Sequence, residues 1–436
     1  MVTLLPMDTR TLKGFVRRSP VPRLRNPGCS PKLIDMPLAP LPSRRRTRGG
    51  ASATAPQRRI RKAALFLLAA ASCQEAPTPE FRIGLSALLS SRYANGSGIP
   101  SERGARMAVD ELNAADGVMI GGTAHRVRLI VRDFAERPDV AASAVRALVN
   151  LDRVYALVGP QFSAHSIPAG GVAEDAQVPL ISPMSSNPAL TQGRRFVFRL
   201  AYLDAFQGKV LARYACGQLS LRRAAMLYDA ASPYGRDIAA LFRETFSGCG
   251  GLVVADETFT TDRATDFTPQ LRRIIASGAD ALLLPNYARE DSIQVRQARA
   301  LGFRGRFLSS DSWDPAGLYS IEEAIGTVVV GQWDWRLPSP VTQRFVRRYR
   351  EIYSNSVPRA TAALTYDAIL LLADAVRRVG TLQGDSLARA IAQTERYEGA
   401  GSTYRFAGRQ DPRRGGVLLV MGRGRDSLIS ISVDRP

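Results

Sequence analysis

From residue 81 onward, the chain alternates short apolar, β-rich runs with stretches of helical periodicity, and it completes two such series. Apolar side chains at 105, 108, 109 and 112 share one face of a helix, and a strand-like run follows at 127–131. This alternation is typical of βαβ units with parallel strands. The pattern therefore predicts an α/β fold with two doubly wound sheets.

The first series predicts strands at 81–87, 127–131, 155–158, 179–181 and 196–199, with helices at 101–115, 139–151 and 164–175. The second predicts strands at 224–228, 252–255, 281–284 and 306–308, with helices at 205–217, 235–246, 267–277 and 290–301. The remaining chain predicts a strand at 327–330, helices at 342–353, 360–379 and 386–394, and strands near 417–421 and 428–432.

The late helices complete the first lobe if they pack back onto the first sheet. We therefore expect lobe 1 to comprise 80–202 plus 333–406, and lobe 2 to comprise 203–332 plus 407–436. More than one crossover would join these lobes, a geometry suited to hinge closure on a ligand.

The basic residues are concentrated at the start of the chain. The formal net charge of the 436 residues is +20, which alone would indicate a nucleic-acid or anionic-membrane partner. Residues 1–62, however, carry 15 basic and two acidic side chains, whereas 63–436 carry 44 and 37. The body is only mildly basic, so we expect no nucleic-acid partner.

Residues 1–57 are rich in proline and arginine and lack periodicity, which predicts a disordered leader absent from the mature protein. Residues 58–73 combine basic side chains, a short apolar run and small residues, as a secretory signal peptide does. This segment resembles a bacterial lipobox ending at Cys73, with Ala70 where leucine is usual. We expect export to the periplasm or cell envelope with lipidation of Cys73; cleavage nearby without lipidation is the alternative.

Sequence motifs for catalysis or metal binding are absent. The chain contains no CxxC, HExxH or HxH, no P-loop, no GxSxG and no GxGxxG after a strand. Ser163 and His165 lie too close in sequence to face one another on a helix. We interpret them as a capping serine and an exposed histidine, and we expect no enzyme activity, no metal and no cofactor.

Polar side chains follow several predicted strands at the point where each strand ends. In the second series these are Tyr287 and Asp311; in the first they are Ser163, Ser166, Ser182, Ser185 and Ser186. Ligands of open α/β sheets bind outside the carboxyl ends of the strands. Hydroxyls and helix N-termini suit a carboxylate, and an acid suits an ammonium, so the pattern predicts a site for a zwitterion. Individually each residue could be a helix cap or a loop residue.

Six segments carry a family resemblance: 104–113, 158–163, 179–183, 188–191, 234–235 and 296–302. Their order and spacing resemble the type I periplasmic solute-binding proteins of ABC importers, in particular the leucine/isoleucine/valine-binding group. The resemblance spans about 81–432 and implies two doubly wound three-layer lobes joined by a multi-strand hinge. It also implies a monomeric receptor that binds an amino acid between the lobes and delivers it to an ABC permease.

The family's ligand-binding positions fall on Ser163, Met184, Ser186, Asp204, Tyr234, Tyr287 and Asp311. By the resemblance, the two serines would hold the carboxylate. The ammonium would be held by Asp311 and the Met184 backbone carbonyl, with Tyr287 beside it. Asp204 and Tyr234 would line the cleft from the second lobe.

Three positions depart from the family pattern. Ser97 falls where the family has a tyrosine, Phe162 replaces a smaller residue, and Asp311 stands where glutamate is common. These changes leave the polar contacts intact but leave the ligand side chain open. The alternative function is a receptor that senses amides or other small carboxylates for a regulatory partner.

The family's first-lobe disulfide has no counterpart, because no cysteine lies between Cys73 and Cys216. Cys216 and Cys249 both fall at the amino ends of neighbouring predicted strands. Since disulfides persist in exported proteins, we hypothesise that these two cysteines are bonded; two free thiols are the alternative.

Overall fold

The computed structural model describes residues 78–260, 265–313 and 321–422. The leader, the signal segment with Cys73 and the strand predicted at 428–432 lie outside the described residues. Within the described part, no helix has both the length and the apolar composition that a membrane span requires.

The strands are β1 (Glu80–Ala87), β2 (Val118–Ile120), β3 (Thr123–Asp133), β4 (Ala156–Val158), β5 (Leu180–Ser182), β6 (Val197–Arg199), β7 (Arg223–Asp229), β8 (Leu252–Phe259), β9 (Ala281–Leu284), β10 (Arg306–Ser309), β11 (Val328–Gly331), β12 (Tyr397–Glu398), β13 (Thr403–Tyr404) and β14 (Val417–Val420). The α-helices are α1 (Ile99–Ala114), α2 (Pro138–Asn150), α3 (Ser163–Asp175), α4 (Asp204–Gly217), α5 (Pro233–Gly248), α6 (Thr268–Ala276), α7 (Ala288–Ala300), α8 (Pro340–Ile352), α9 (Ala360–Val379) and α10 (Gly384–Ala392).

Two six-stranded sheets form the frame, in the strand orders β2-β3-β1-β4-β5-β6 and β14-β11-β10-β9-β7-β8. All pairings within them are parallel except β2 with β3 and β11 with β14. The strand order reverses next to β1 in the first sheet and next to β7 in the second. The predicted fold of two doubly wound sheets is confirmed.

The central strands of each sheet are buried on both faces, which explains why they are almost continuously apolar, whereas β3 and β8 are partly exposed. Successive strand residues alternate between cores: Leu157 packs on one side of the first sheet, whereas Ala156 and Val158 pack on the other. In the second sheet, Leu282 and Leu283 likewise belong to different cores. Helices on both faces therefore make each lobe a three-layer structure.

The late helices α8, α9 and α10 return to the first sheet, as the sequence predicts. Phe345 of α8 and Leu364 of α9 belong to the same core as Phe81 of β1. Helices α1 and α9 pack closely because Gly104 has no side chain, and a methyl group there would overlap the carbonyl oxygen of Ala362. The chain therefore crosses between the lobes more than once.

The sequence reading missed three short strands. β2 pairs with β3 across a turn at Gly121 and Gly122, both at positive φ, and β12 pairs with β13. These segments are only two or three residues long, too short to show a period. Element boundaries otherwise agree within a few residues, and the span 360–379 of α9 matches its prediction.

Cys216 and Cys249 are bonded to each other, with their Cα atoms 6.3 Å apart. The first lies in the last turn of α4 and the second directly follows α5. Both positions precede strands of the second sheet, β7 and β8. The bridge therefore lies at the amino ends of these strands, opposite the end where ligands bind in such sheets.

Candidate functional site

A cavity of about 160 Å³ lies in the cleft between the lobes, at the carboxyl ends of the parallel strands. This volume is close to that of an engineered cavity that binds benzene, so the cavity has room for a small molecule. Six of the seven predicted site residues line the cavity: Ser163, Met184, Ser186, Tyr234, Tyr287 and Asp311. The seventh, Asp204, is not among the lining residues.

A chain of serine hydroxyls ends at the cavity on the first-lobe side. Ser166 Oγ donates to Ser185 Oγ at 2.7 Å, and Ser185 Oγ donates to Ser163 Oγ at 3.1 Å. Because Ser163 Oγ accepts this bond, its own hydroxyl hydrogen remains to be donated. Ser163 is also the first residue of α3, where the backbone N–H groups have no intrahelical partner. This end of the cavity suits an anion.

A buried arginine holds the loop that carries Ser185. Arg199, fully buried at the end of β6, donates to the backbone carbonyl of Ser185 at 3.1 Å. Burial lowers the pKa of Arg199, and its ion pair with Asp411 at 2.6 Å opposes that shift. The Arg199 side chain thus fixes the position of Ser185, which donates to Ser163.

On the second-lobe side, Asp311 presents a carboxylate with both oxygens hydrogen-bonded. Tyr234 Oη donates to Oδ1 at 2.6 Å, and Gln332 Nε2 donates to Oδ2 at 2.5 Å. Burial raises the pKa of Asp311, whereas these donors lower it. A bound ammonium would offset the effect of burial on the pKa of Asp311, because an adjacent opposite charge favours the ionised form.

Asp204 lies behind the cavity wall rather than in it. It is the first residue of α4 and fully buried, and its Oδ1 accepts a long hydrogen bond, 3.4 Å, from Gln207 Nε2. Oδ2 has no partner. Burial raises the pKa of Asp204 to about 8, despite a hydrogen bond with the Ser186 side chain. The structure therefore gives Asp204 no direct access to a ligand.

Four aromatic rings from both lobes meet beside the polar groups. Tyr287, the residue before α7, stacks on Tyr234 with 5.6 Å between ring centroids, and its ring centroid lies 4.7 Å from that of Phe162. Tyr93, from the loop after β1, contacts both Phe162 and Tyr287 at 5.4 and 5.7 Å. Since Tyr93 and Phe162 come from the first lobe, these contacts bridge the cleft.

Sequence reasoning missed several lining residues. They include Tyr93, Gln161, Gln332, Thr361 and the chain's three tryptophans, Trp313, Trp333 and Trp335. Gln332 directly follows β11 and Gln161 lies three residues after β4, so the strand-end rule could have found both. Tyr93 lies four residues before Ser97, which also lines the cavity. It therefore supplies an aromatic ring from the loop in which Ser97 stands at the family's tyrosine position.

Two expectations about the start of α3 are wrong. The residue that caps α3 is Phe162, and no side chain supplies a cap hydrogen bond. His165 is only 7% exposed, because it packs against Phe134 and Phe162 with ring centroids 5.0 and 6.1 Å away. The helix face that carries His165 is turned into the cleft rather than toward solvent.

No group of three or more His, Cys, Asp or Glu side chains arranged to hold a metal ion occurs in the described part of the chain. The cavity's lining instead offers hydroxyls, amides, aromatic rings, the carboxylates of Asp311 and Asp334 and the guanidinium of Arg359. Such a mixed set suits an organic zwitterion.

Comparison with known proteins agrees with this architecture. The chain is 32% identical over 210 residues to an "Amino acid binding protein" of Pseudomonas aeruginosa, an alignment that covers 48% of this chain and 54% of that relative. It is 27% identical over 256 residues to the leucine-specific-binding protein of Salmonella typhimurium, covering 58% of this chain and 67% of the relative. The chain thus spans just over half the length of the first of these curated relatives.

A solved structure matches over a longer part of the chain. It is the branched-chain amino acid transporter substrate binding protein LivJ from Streptococcus pneumoniae, in complex with isoleucine, with a TM-score of 0.75 and 29% identity. The match covers 82% of this chain and all of that one. The family model described as "Periplasmic binding protein" matches residues 80–418. With its two doubly wound lobes and a cavity between them, the chain belongs to the periplasmic binding protein family, in its type I form.

Proposed function

We propose that this chain is an extracytoplasmic receptor that binds a free α-amino acid between its lobes and delivers it to an ABC permease. The observation that carries the proposal is the placement of Ser163 and Asp311, which line one small cavity from opposite lobes. A hydroxyl donor and a carboxylate at opposite walls match the two charged groups of an α-amino acid. The isoleucine complex of the related LivJ supports an amino acid as the ligand class.

The carboxylate of the ligand is assigned to Ser163 and Ser186, and its ammonium to Asp311 and the backbone carbonyl of Met184. Tyr234 holds Asp311 in place, and the aromatic residues beside it make much of the remaining wall apolar, with Asp334 and Arg359 also on the lining. An aliphatic or aromatic portion of the ligand suits the apolar part of that wall, because burying apolar area contributes about 25 cal/mol per Å².

Binding without catalysis is part of the proposal. Ser163 accepts its hydrogen bond from Ser185, and neither ring nitrogen of His165 is hydrogen-bonded to it. A serine nucleophile needs a base within hydrogen-bond reach to take its proton. This arrangement supports a receptor rather than a hydrolase.

The remaining assignments concern location and assembly. We assign lobe 1 to 80–202 plus 333–406 and lobe 2 to 203–332 plus 407–436, with closure about the crossovers. Cys73 is the lipidation site that anchors a monomeric receptor to the membrane near its permease. Mass spectrometry of the native N-terminus tests the anchor: a diacylated cysteine at residue 73 is expected, and peptides from residues 1–57 in the mature protein would contradict it.

Calorimetry with leucine, isoleucine and valine, followed by a panel of other amino acids, amides and small carboxylates, tests the ligand class. We expect micromolar or tighter binding of at least one amino acid, and no comparable binding of the amide in which its α-carboxylate is replaced. Charge-assisted hydrogen bonds contribute about 1.5–3 kcal/mol each, so Asp311→Ala should weaken binding roughly 10- to 150-fold.

Asp256→Ala is the matched control, because Asp256 belongs to the same sheet but lies exposed, paired with Arg243. It should leave the affinity unchanged. Unchanged affinity in Asp311→Ala would remove that residue from the site, and failure of every amino acid to bind would overturn the proposed function.

A further inference from the structure

A second cavity, also of about 160 Å³, adjoins the first within the cleft. Tyr93, Phe162 and Tyr287 line both cavities, so these three rings form an aromatic wall that the cavities share. The second cavity is likewise lined from both lobes, by His165 of the first and Asp229 of the second among others. A ligand that extends from the first cavity into the second would therefore contact His165 and Asp229 while it remains between the lobes.

His165 lines this second cavity with no hydrogen-bond partner at Nδ1 or Nε2, although its side chain is more than nine-tenths buried. Burial lowers the pKa of His165, and a contact with the backbone of Glu136 opposes that shift. A neutral imidazole carries one nitrogen that accepts a hydrogen bond. An unpaired buried polar group costs free energy, so a donor placed here would be stabilised.

The charges that face His165 are mainly negative. Carboxylates of Glu136, Asp229 and Glu290 line the cavity, and one guanidinium, that of Arg92, lines it with them. Arg92 pairs with Glu136 at 2.7 Å, and Arg289 pairs with Glu290 from outside the cavity at 3.1 Å. Counting both arginines, one carboxylate remains in excess, and Asp229 is the one outside these two ion pairs.

The aromatic wall is a third feature of the second cavity that attracts a cationic group. The faces of Tyr and Phe rings attract cations, and the attraction grows when the cation is desolvated. An acceptor nitrogen, one excess carboxylate and three aromatic rings thus surround a space large enough for a small organic group.

We propose that the second cavity binds an alkylammonium or guanidinium group. The cation is either the tail of a basic amino acid whose α-groups occupy the first cavity, or a separate small amine. The first source rests on the proposed function, and it narrows the substrate class to amino acids with a cationic end. His165 accepts the hydrogen bond from this cation, and Asp229 balances its charge.

Calorimetry on the whole receptor with L-arginine, L-lysine and L-norleucine tests the proposal, with methylguanidine as the free-cation probe. Norleucine has a chain of comparable length without the charge. We expect arginine or lysine to bind at least tenfold more tightly than norleucine. If methylguanidine also binds and competes with arginine, the cavity takes a separate amine too; if it does not bind, the tail is the source.

His165→Phe removes the acceptor while keeping an aromatic ring between Phe134 and Phe162. It should reduce the ratio of arginine to norleucine affinity about tenfold, whereas His125→Phe, at the receptor's other histidine on β3, should leave the ratio unchanged. Asp229→Asn is a second variant, since an asparagine Oδ1 can still accept the hydrogen bond from the backbone N–H of Ala231. It should lower the same ratio.

The proposal is overturned if basic amino acids bind no more tightly than norleucine, or if both variants leave the ratio unchanged. Failure of the proposed function is a separate result. In that case no amino acid binds, while methylguanidine binding that is sensitive to His165→Phe would still support the second cavity.

Discussion

Tyr234 Oη donates a hydrogen bond of 2.6 Å to Asp311 Oδ1, and it accepts one of 3.3 Å from the backbone N–H of Ser312. The tyrosine thus holds the acid that is assigned to the ligand's ammonium and also lowers its pKa against the effect of burial. The strand-end residue Asp311 and the helix residue Tyr234 therefore act as one unit.

Tyr234→Phe should make amino-acid binding more sensitive to acid. Without the donor, the pKa of Asp311 rises further, so a larger fraction of the carboxyl is neutral at low pH and cannot hold an ammonium. Each unit of pKa shift costs up to about tenfold in affinity below the new pKa. Calorimetry from pH 5 to pH 9 should show affinity lost at the acidic end and recovered as the pH rises. Tyr228→Phe, on β7, is the control, and parallel pH profiles for the two variants would contradict the argument.

Phe162→Ala should favour the open form of the receptor. The ring of Phe162 meets Tyr287 of the opposite lobe at 4.7 Å, and an aromatic pair contributes about 0.5–1.5 kcal/mol beyond its buried area. Affinity for every ligand of the cleft should fall roughly 2- to 10-fold. Small-angle X-ray scattering should show a larger radius of gyration than in the parent protein at the same ligand concentration. Phe162→Leu keeps an apolar side chain, so its affinity and radius of gyration should lie between those of the parent and those of Phe162→Ala. An unchanged radius of gyration in Phe162→Ala would exclude a role for Phe162 in closure.

Stability without ligand should fall as the pH rises from about 4 to 8, and Asp204 should account for much of the slope. An unfolded aspartate has a pKa near 3.9, whereas burial raises that of folded Asp204 to about 8. Between these values the folded state holds the extra proton, so the free energy of unfolding falls by up to about 1.4 kcal/mol per pH unit for one such group.

Asp204→Asn removes this titration and should flatten the profile measured by urea unfolding at pH 5, 6, 7 and 8. Some slope should remain, since burial also raises the pKa of Asp367 to about 7. Asp256→Asn, at an exposed aspartate, should keep the parent slope. An Asp204→Asn profile as steep as that of the parent would show that this carboxyl does not carry the extra proton.

The sequence predicts the sheets well because their central strands are buried on both faces, as the apolar runs around Leu157 and Leu283 show. The strand-end rule points to Ser163, Ser186, Tyr287 and Asp311, and the family resemblance adds Met184 and Tyr234. All six line one cavity. Sequence reasoning fails where tertiary contacts decide. His165 is polar and lies in the first turn of a helix, yet Phe134 and Phe162 pack against it and bury it. Tyr93 and Trp335 line the cavity from loops, where no period marks the side that faces a ligand.

Replacing both Cys216 and Cys249 with serine should destabilise the receptor without weakening ligand binding. The bridge closes a loop with a sequence separation of 33, for which chain entropy gives about 3–4 kcal/mol. The melting temperature should therefore drop by several degrees, and dithiothreitol should produce a similar drop in the parent protein. The variant should bind ligand as tightly as the parent protein, because the bridge lies at the amino ends of β7 and β8, away from the cavity. Thiol titration of unreduced, unfolded protein carrying Cys29→Ser and Cys73→Ser should find no free thiol, and finding two would exclude the bridge.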